Sequence, residues 1–406
     1  MTTARFTRAH WSMMIAAGVI LGIALGHRHS QGLYLLPYTQ STGMSREVFS
    51  FAVALQNIVW GVASPFTGAL ADRFGTPRVL LAGLALHVAG MLLMPLTGNR
   101  IELALAAGLL IGLGQAGTTW VVNGAISRGV PAERRSVALG IVASFGALGQ
   151  FVMMPYTLFL INGLGWVGAL TVAAITLALT APLARLLAEH IPSDPVAVPA
   201  AALVPMRDVW RAALASRHMW MLWLGFSACG FQLAFISTHL PAYLIGHGLT
   251  ARDGTIALAL VGLFNIAGTY VFGQLGQRYR RKYMIAMLYG LRSLIIAVFI
   301  SLPLTPAGVY LFGIAMGLLW LGINPLMTGA VAQMFGLRAL AGLFGFVFLG
   351  HQVGAFLGVW LGGMLFDATG SYTIVWWLAI GIGMFATLVT LPVDEAPARI
   401  ATRAAA

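Results

Sequence analysis

Long apolar runs recur along the chain near 12–36, 47–70, 79–97, 102–126, 137–161, 166–187, 218–244, 255–276, 284–303, 307–331, 338–365 and 373–392. Short polar stretches separate them. A hydrocarbon core about 30 Å thick takes roughly 20 residues of helix, so the pattern predicts twelve spans and an all-α membrane protein. The first run is too long for a cleaved signal peptide and lacks its small-residue cleavage site. The longest polar interruption, holding Pro192, Pro195, Pro199 and Pro205, divides the chain into a bundle over 1–188, a linker over 189–216 and a bundle over 217–406. Within the linker, Met206 to Leu214 reads as a short amphipathic helix lying on the membrane surface.

Composition agrees with the pattern. Of 406 residues 59% are hydrophobic and 8% charged, against about 25% charged in ordinary soluble domains, which excludes a soluble enzyme and a disordered chain. The single cysteine, Cys229, excludes an internal disulfide and a cysteine-built metal cluster. A net charge of +12 would suggest nucleic acid, but its distribution points elsewhere. With both termini placed inside, 18 of the 23 basic residues fall on the cytoplasmic side, among them Arg5, Arg8, Arg338, Arg399 and Arg403. Only Arg46, Arg100 and Arg252 fall outside. The charge is thus an orientation signal for a multi-pass protein of the cell (inner) membrane with cytoplasmic termini, and no nucleic-acid partner is expected.

The two halves share a weak repeat at an offset of 205. Gly68-Ala69-Leu70-Ala71-Asp72-Arg73 lies over Gly273-Gln274-Leu275-Gly276-Gln277-Arg278, and Gly124, Gly140, Gly149 and Phe151 lie over Gly329, Gly345, Gly354 and Phe356. Six spans separate the copies, so the halves should be related by a pseudo-two-fold axis along the membrane normal, with a solute site between them. Polar stripes support such a site. His27, Gln31, Tyr34 and Tyr38 recur at helical spacing in span one, and Gln232, His239 and Tyr243 occupy matching places in span seven. Gln115, Thr119 and Asn123 in span four match Trp320, Asn324 and Thr328 in span ten. Such residues serve either as glue between helices or as the lining of a central cavity.

Gly68 to Arg78 (GALADRFGTPR), between spans two and three, resembles the signature loop of the major facilitator superfamily. Gly68 and Gly75 suit close helix ends and a tight turn; Asp72 suits either a helix N-cap or a pair with arginine across the inner gate, and Arg73 and Arg78 belong to the same gating loop. The second copy has Gln277 where an acid would sit. The resemblance implies two six-helix bundles with spans one, four, seven and ten around the cavity. A finer resemblance, to bacterial monocarboxylate and oxalate/formate transporters, rests on Arg28-His29-Ser30-Gln31-Gly32-Leu33-Tyr34, on Cys229-Gly230-Phe231-Gln232 through Thr238-His239-Leu240-Pro241-Ala242-Tyr243, and on Gly350-His351-Gln352-Val353-Gly354. Two departures stand out. Asn265 and Thr269 occupy the places of an acid and an arginine in span eight, and His10-Trp11 is what is left of the signature before span one.

All eleven acids fall in loops or at span ends, whereas Arg28 and Arg292 lie about 18 and 15 Å from their nearest loops at helical rise. A cation at that depth is a candidate site, and a substrate carboxylate fits the guanidinium fork. For Arg292, on a peripheral span, a structural role within its own bundle is the competing reading. His239 and His351 are candidates to carry a coupled proton. Rows of glycine, Gly18-Gly22-Gly26 and Gly350-Gly354-Gly358-Gly362, suit close helix crossings or a rocking interface. No nucleotide-binding loop, cofactor or metal site is evident, and no acid in the membrane suggests an enzyme. The expected activity is secondary transport of small organic anions, monocarboxylates first, by alternating access, through a chain that works as a monomer. Proton coupling and anion exchange are both open. Efflux of neutral or amphipathic compounds and ligand sensing without transport are the alternatives.

Overall fold

The computed structural model describes residues 6–188, 205–336 and 339–398. Arg5, Arg338, Arg399, Arg403 and most of the expected linker lie outside them. The described residues form helices and turns: α1 Arg8–Thr42, α2 Arg46–Phe74, α3 Thr76–Leu96, α4 Arg100–Gly129, α7 Arg217–Gly246, α8 Ala251–Arg278, α9 Arg281–Ser301, α10 Pro306–Phe335, α11 Leu340–Thr369 and α12 Thr373–Thr390. The segment Arg135–Leu187 holds α5 and α6. Gly165, at φ 70° and ψ 174°, divides it. Tyr156 and Thr176, on either side of that glycine, hydrogen-bond at 3.0 Å, so the two stretches run antiparallel. Eleven apolar segments therefore make the twelve expected crossings. The linker helix is Met206–Ala215.

The repeat reappears in backbone and capping geometry that its low identity does not reveal. Gly43 and Gly248, 205 apart, both take positive φ, as do Gly165 and Gly370. Ser45 and Thr250, again 205 apart, cap α2 and α8 by accepting from Val48 N and Asp253 N at 3.3 Å each. The crossings repeat as well. A Cβ at Gly149 would fall on the Gly22 backbone, and one at Gly354 on the backbone of Ser227, the counterpart of Gly22. With little hydrophobic force between helices in lipid, such close packing is what holds α1 to α5 and α7 to α11. Both glycine rows face a partner within their own half.

Three helix pairs join the halves: α2 with α11, α5 with α8, and α1 with α7. The pseudo-two-fold exchanges the first two pairs and maps the third onto itself. They meet toward the end opposite the basic loops. There the Asp367 carboxylate accepts from Glu47 N at 2.7 Å and Glu47 Oε1 accepts from Trp360 Nε1 at 2.8 Å. Arg46 donates to the Tyr372 hydroxyl at 3.0 Å and lies 3.6 Å from the Phe366 ring centre. Halfway along, Gln150 bonds Leu258 O and Gln352 bonds Asn57 O, each at 3.1 Å. Beyond that level α2 and α11 part. A cavity of about 520 Å³ opens between them toward the basic end, lined by Gly61, Ser64, Trp120, Gly345 and Phe348, with Trp210 of the linker helix at its mouth.

Candidate functional site

Arg28 lies one ring behind the lining of this opening, over Trp60, which packs on Phe348. Its Nη2 donates to Asn57 Oδ1 at 2.6 Å, and its guanidinium carbon lies 4.8 Å from the Trp60 ring centre. Its Nε is buried without a partner. Trp60 and Trp120 both pack edgewise on Phe348, at 5.3 and 5.5 Å, so Trp60 stands between the cavity-lining rings and the arginine. His351 stacks on Phe348 at 5.8 Å, and its Nδ1 lies 3.0 Å from Gln352 Oε1. Gln352 then bonds Asn57 O across the interface. Arg28, Asn57, Gln352 and His351 thus form one hydrogen-bonded chain through α1, α2 and α11. The ion pairs found among the described residues, Glu47–Arg100 and Asp72–Arg128, lie at the two ends of the molecule, far along the chain from this level.

Arg292 has different surroundings. It is fully buried, its Nε donates to Leu319 O at 2.9 Å and its Nη1 to Cys229 Sγ at 3.2 Å, and its Nη2 donates to the carbonyls of Leu319 and Trp320. Those carbonyls belong to the break in α10, between Pro306–Leu319 and Ile323–Phe335. From the other side Asn265 Oδ1 accepts from Leu321 N at 3.0 Å and from the Thr269 hydroxyl at 3.2 Å. A broken helix frees backbone groups that lipid cannot satisfy, and these side chains satisfy them. Trp320 is buried at the break, and Asn324, partly exposed, begins the following helix.

The other predicted residues fall in three places. Gln31 and Tyr34 lie in a 3-10 turn that interrupts α1, so the expected stripe does not run straight. His27, Gln31, Tyr34 and Tyr38 are all buried in the N-terminal half; His27 meets the ring of His87 at 5.4 Å and Tyr38 that of Trp166 at 5.2 Å. In α4 Gln115 is buried, whereas Thr119 is partly exposed beside Trp120. Gln232 faces α12 and donates to Ala379 O at 2.9 Å. His239 and Tyr243 belong to the closed end: His239 Nε2 lies 2.9 Å from Val359 O and its Nδ1 3.2 Å from the Tyr372 hydroxyl, and Tyr243 packs on Trp376 at 5.2 Å. The structure therefore brings Arg28 and His351 together and leaves Gln232, His239, Tyr243 and Arg292 elsewhere.

At the basic end Asp72 accepts from Arg128 at 2.9 Å, and Arg128 also donates to Thr76 Oγ1 at 3.1 Å. Gly75, at φ 87°, turns the chain from α2 into α3. Arg73 and Arg78 are exposed, and Gly68 meets open space. In the second half Arg281 donates to Gln333. These positions lie 205 beyond Thr76 and Arg128, so the contact repeats with donor and acceptor exchanged.

Asn57, Trp60, Trp120 and Phe348 escaped the sequence reading, and Gln352 entered it only as part of a motif. Asn57, Trp60 and Gly61 lie within one turn of α2, an amide and a large ring beside a glycine in an otherwise apolar run. That was the available signal. Which span α2 faces was not written there.

The sequence profile of the Major Facilitator Superfamily matches residues 30–329. The chain is 24% identical to the uncharacterized MFS-type transporter YcxA of Bacillus subtilis (strain 168), over 95% of each chain. It is 26% identical to human monocarboxylate transporter 11, over 89% of this chain and 78% of that one. Its fold matches the crystal structure of a bacterial homologue of the human lysosomal transporter Spinster, with TM-score 0.73 and 14% identity, over 97% of this chain and 100% of that one. Twelve crossings, a two-fold repeat of caps and crossings, a cavity between the halves and a profile match across both of them have one common account: the chain is a multi-pass membrane transporter that belongs to the Major Facilitator Superfamily.

Proposed function

We propose that this transporter moves small monocarboxylate anions by alternating access, with Arg28 as the group that holds the carboxylate. The observation that carries the reading is a partly exposed arginine deep in the bundle, one aromatic ring behind an open cavity, whose guanidinium bonds a neutral amide and no acid among the described residues. An arginine at that depth is costly unless an anion or water meets it. A carboxylate accepts two parallel N–H bonds from its fork, and the rings of Trp60, Trp120 and Phe348 suit a short apolar tail. Similarity to a monocarboxylate transporter supports the same class. By the positive-inside rule the basic end faces the cytoplasm, so the arrangement is read as inward-open. All the groups named come from one chain, so a monomer suffices. Arg292 and Gln232 are read as structural.

Counterflow of labelled L-lactate in proteoliposomes is the direct test. Wild type should exchange it, and Arg28→Gln should slow exchange at least tenfold with its thermal unfolding midpoint kept. Exchange equal to wild type removes Arg28 from the site. The aromatic walls favour a second reading, efflux of neutral amphipathic compounds. A thermal-shift screen separates the two, because only a bound ligand raises apparent stability. Stabilisation by neutral aromatic compounds and by no carboxylate selects the second.

A further inference from the structure

Resting on the reading of Arg28 as the anion site, we propose that Gln352 positions His351 so that its Nε2 takes up a proton together with the carboxylate, making one anion–proton site across the two halves. Donor and acceptor identities settle the tautomer. The Asn57 main-chain carbonyl can only accept, so the Gln352 amide nitrogen is the atom that faces it, at 3.1 Å. The amide oxygen is then left for His351 Nδ1 at 3.0 Å, and Nδ1 carries the hydrogen. A neutral imidazole has one N–H and one lone pair, so the lone pair is on Nε2. Nε2 makes no hydrogen bond among the described residues, and its ring is partly exposed. Phe348 at 5.8 Å and Phe226 at 5.0 Å hold that ring in place.

Two cations lie near His351: Arg28 of α1 is joined to it through Asn57 and Gln352, and Arg292 of α9 bonds Cys229, one helical turn from Phe226, which packs on the His351 ring. Asn57 and Trp60 of α2, Phe226 of α7, and Phe348 and Gln352 of α11 add no charge, and no carboxylate faces the ring among the described residues. A carboxylate bound at Arg28 cancels one of the two positive charges, so the anion favours the proton. By linkage the proton favours the anion equally. The Gln352–Asn57 bond joins the halves just where α2 and α11 part. Opening at the opposite end separates those helices, frees the His351 ring and releases anion and proton together. Gln352 is thus a positioning residue, and His351 the proton carrier.

The test uses the full chain in proteoliposomes, L-lactate as probe, and a pH gradient with the interior alkaline. Wild type should accumulate lactate. His351→Gln should lose gradient-driven accumulation at least tenfold and retain a measurable part of lactate counterflow. Gln352→Leu should move the pH of half-maximal uptake by about one unit. Unchanged accumulation in His351→Gln overturns the proposal. So does complete loss of counterflow in that variant with normal unfolding, which would make His351 an anion ligand. If His351→Gln fails to fold, an unmoved pH profile in Gln352→Leu overturns it. Counterflow without accumulation in wild type overturns the proton site alone. Absence of counterflow in wild type overturns the anion reading beneath it.

Discussion

Arg28 and Arg292 read alike in sequence: each is a lone cation far from any loop, with no acid at its depth. Their surroundings separate them. Arg292 spends all its nitrogens on the broken turn of α10 and on Cys229, and no part of it reaches solvent. Arg28 shares one bond with Asn57 and keeps its Nε unbonded. Substitution should therefore act on different quantities. Arg292→Met strands the Leu319 and Trp320 carbonyls, at about 1–3 kcal/mol per unpaired buried group. A drop in the unfolding midpoint of the purified protein is the expected result, and an unchanged midpoint would reopen a binding role. Neighbouring Asn265 and Thr269 illustrate the same lesson. Where the resemblance led one to look for an acid and an arginine, a hydrogen-bonded pair supports the α10 break instead.

At the scale of the element, glycine spacing was legible but its partner was not. Rows at every fourth residue announce a close crossing, and the crossings exist, α1 on α5 and α7 on α11. Their faces turn into each half and not toward the interface, which makes them fixed joints in this arrangement. Gly149→Val and Gly354→Val should then abolish folded protein, because the new side chain meets main-chain atoms that cannot give way. Gly140 is the control. It lies in the same helix as Gly149 with nothing within 4 Å of a built Cβ. Gly140→Ala should leave unfolding unchanged or raise stability by up to about 1 kcal/mol, the helix-propensity difference. Equal effects at Gly140 and Gly149 would contradict this account. Helix irregularities, by contrast, had no sequence signal: the 3-10 turn at Gln31–Tyr34 redirects the polar stripe that regular spacing predicts.

At the scale of the whole molecule, the two ends differ in what joins the halves. One end is closed by Arg46, Glu47, Trp360, Asp367 and Tyr372; the other opens on the cavity. Asp367 stands opposite the first turn of α2 and accepts one of its free N–H groups, so it serves as a cap contributed by the other half. Loss of a cap costs about 1 kcal/mol, close to a fivefold shift in population. Ser237 is buried at the α1–α7 seam, its main-chain oxygen against Gly32, so Asp367→Ala should raise labelling of a Ser237→Cys variant by an impermeant thiol reagent from the outside about fivefold, in a Cys229→Ser background. No change in that rate would mean that the cap does not hold the closed end.

Hydropathy alone determined the number of crossings, because the cost of placing polar groups in lipid acts on each segment independently of the others. The offset of 205 was legible for the same reason: caps, turns and close crossings demand particular residues locally. Only the tertiary structure decided which polar groups face the cavity. A lone residue states its chemistry, but whether its hydrogen bonds are spent on a broken helix, on a closed gate or on nothing depends on helices more than two hundred residues away. Asn57 and Gln352 are that case, 295 residues apart in sequence and bonded to each other across the interface between the halves.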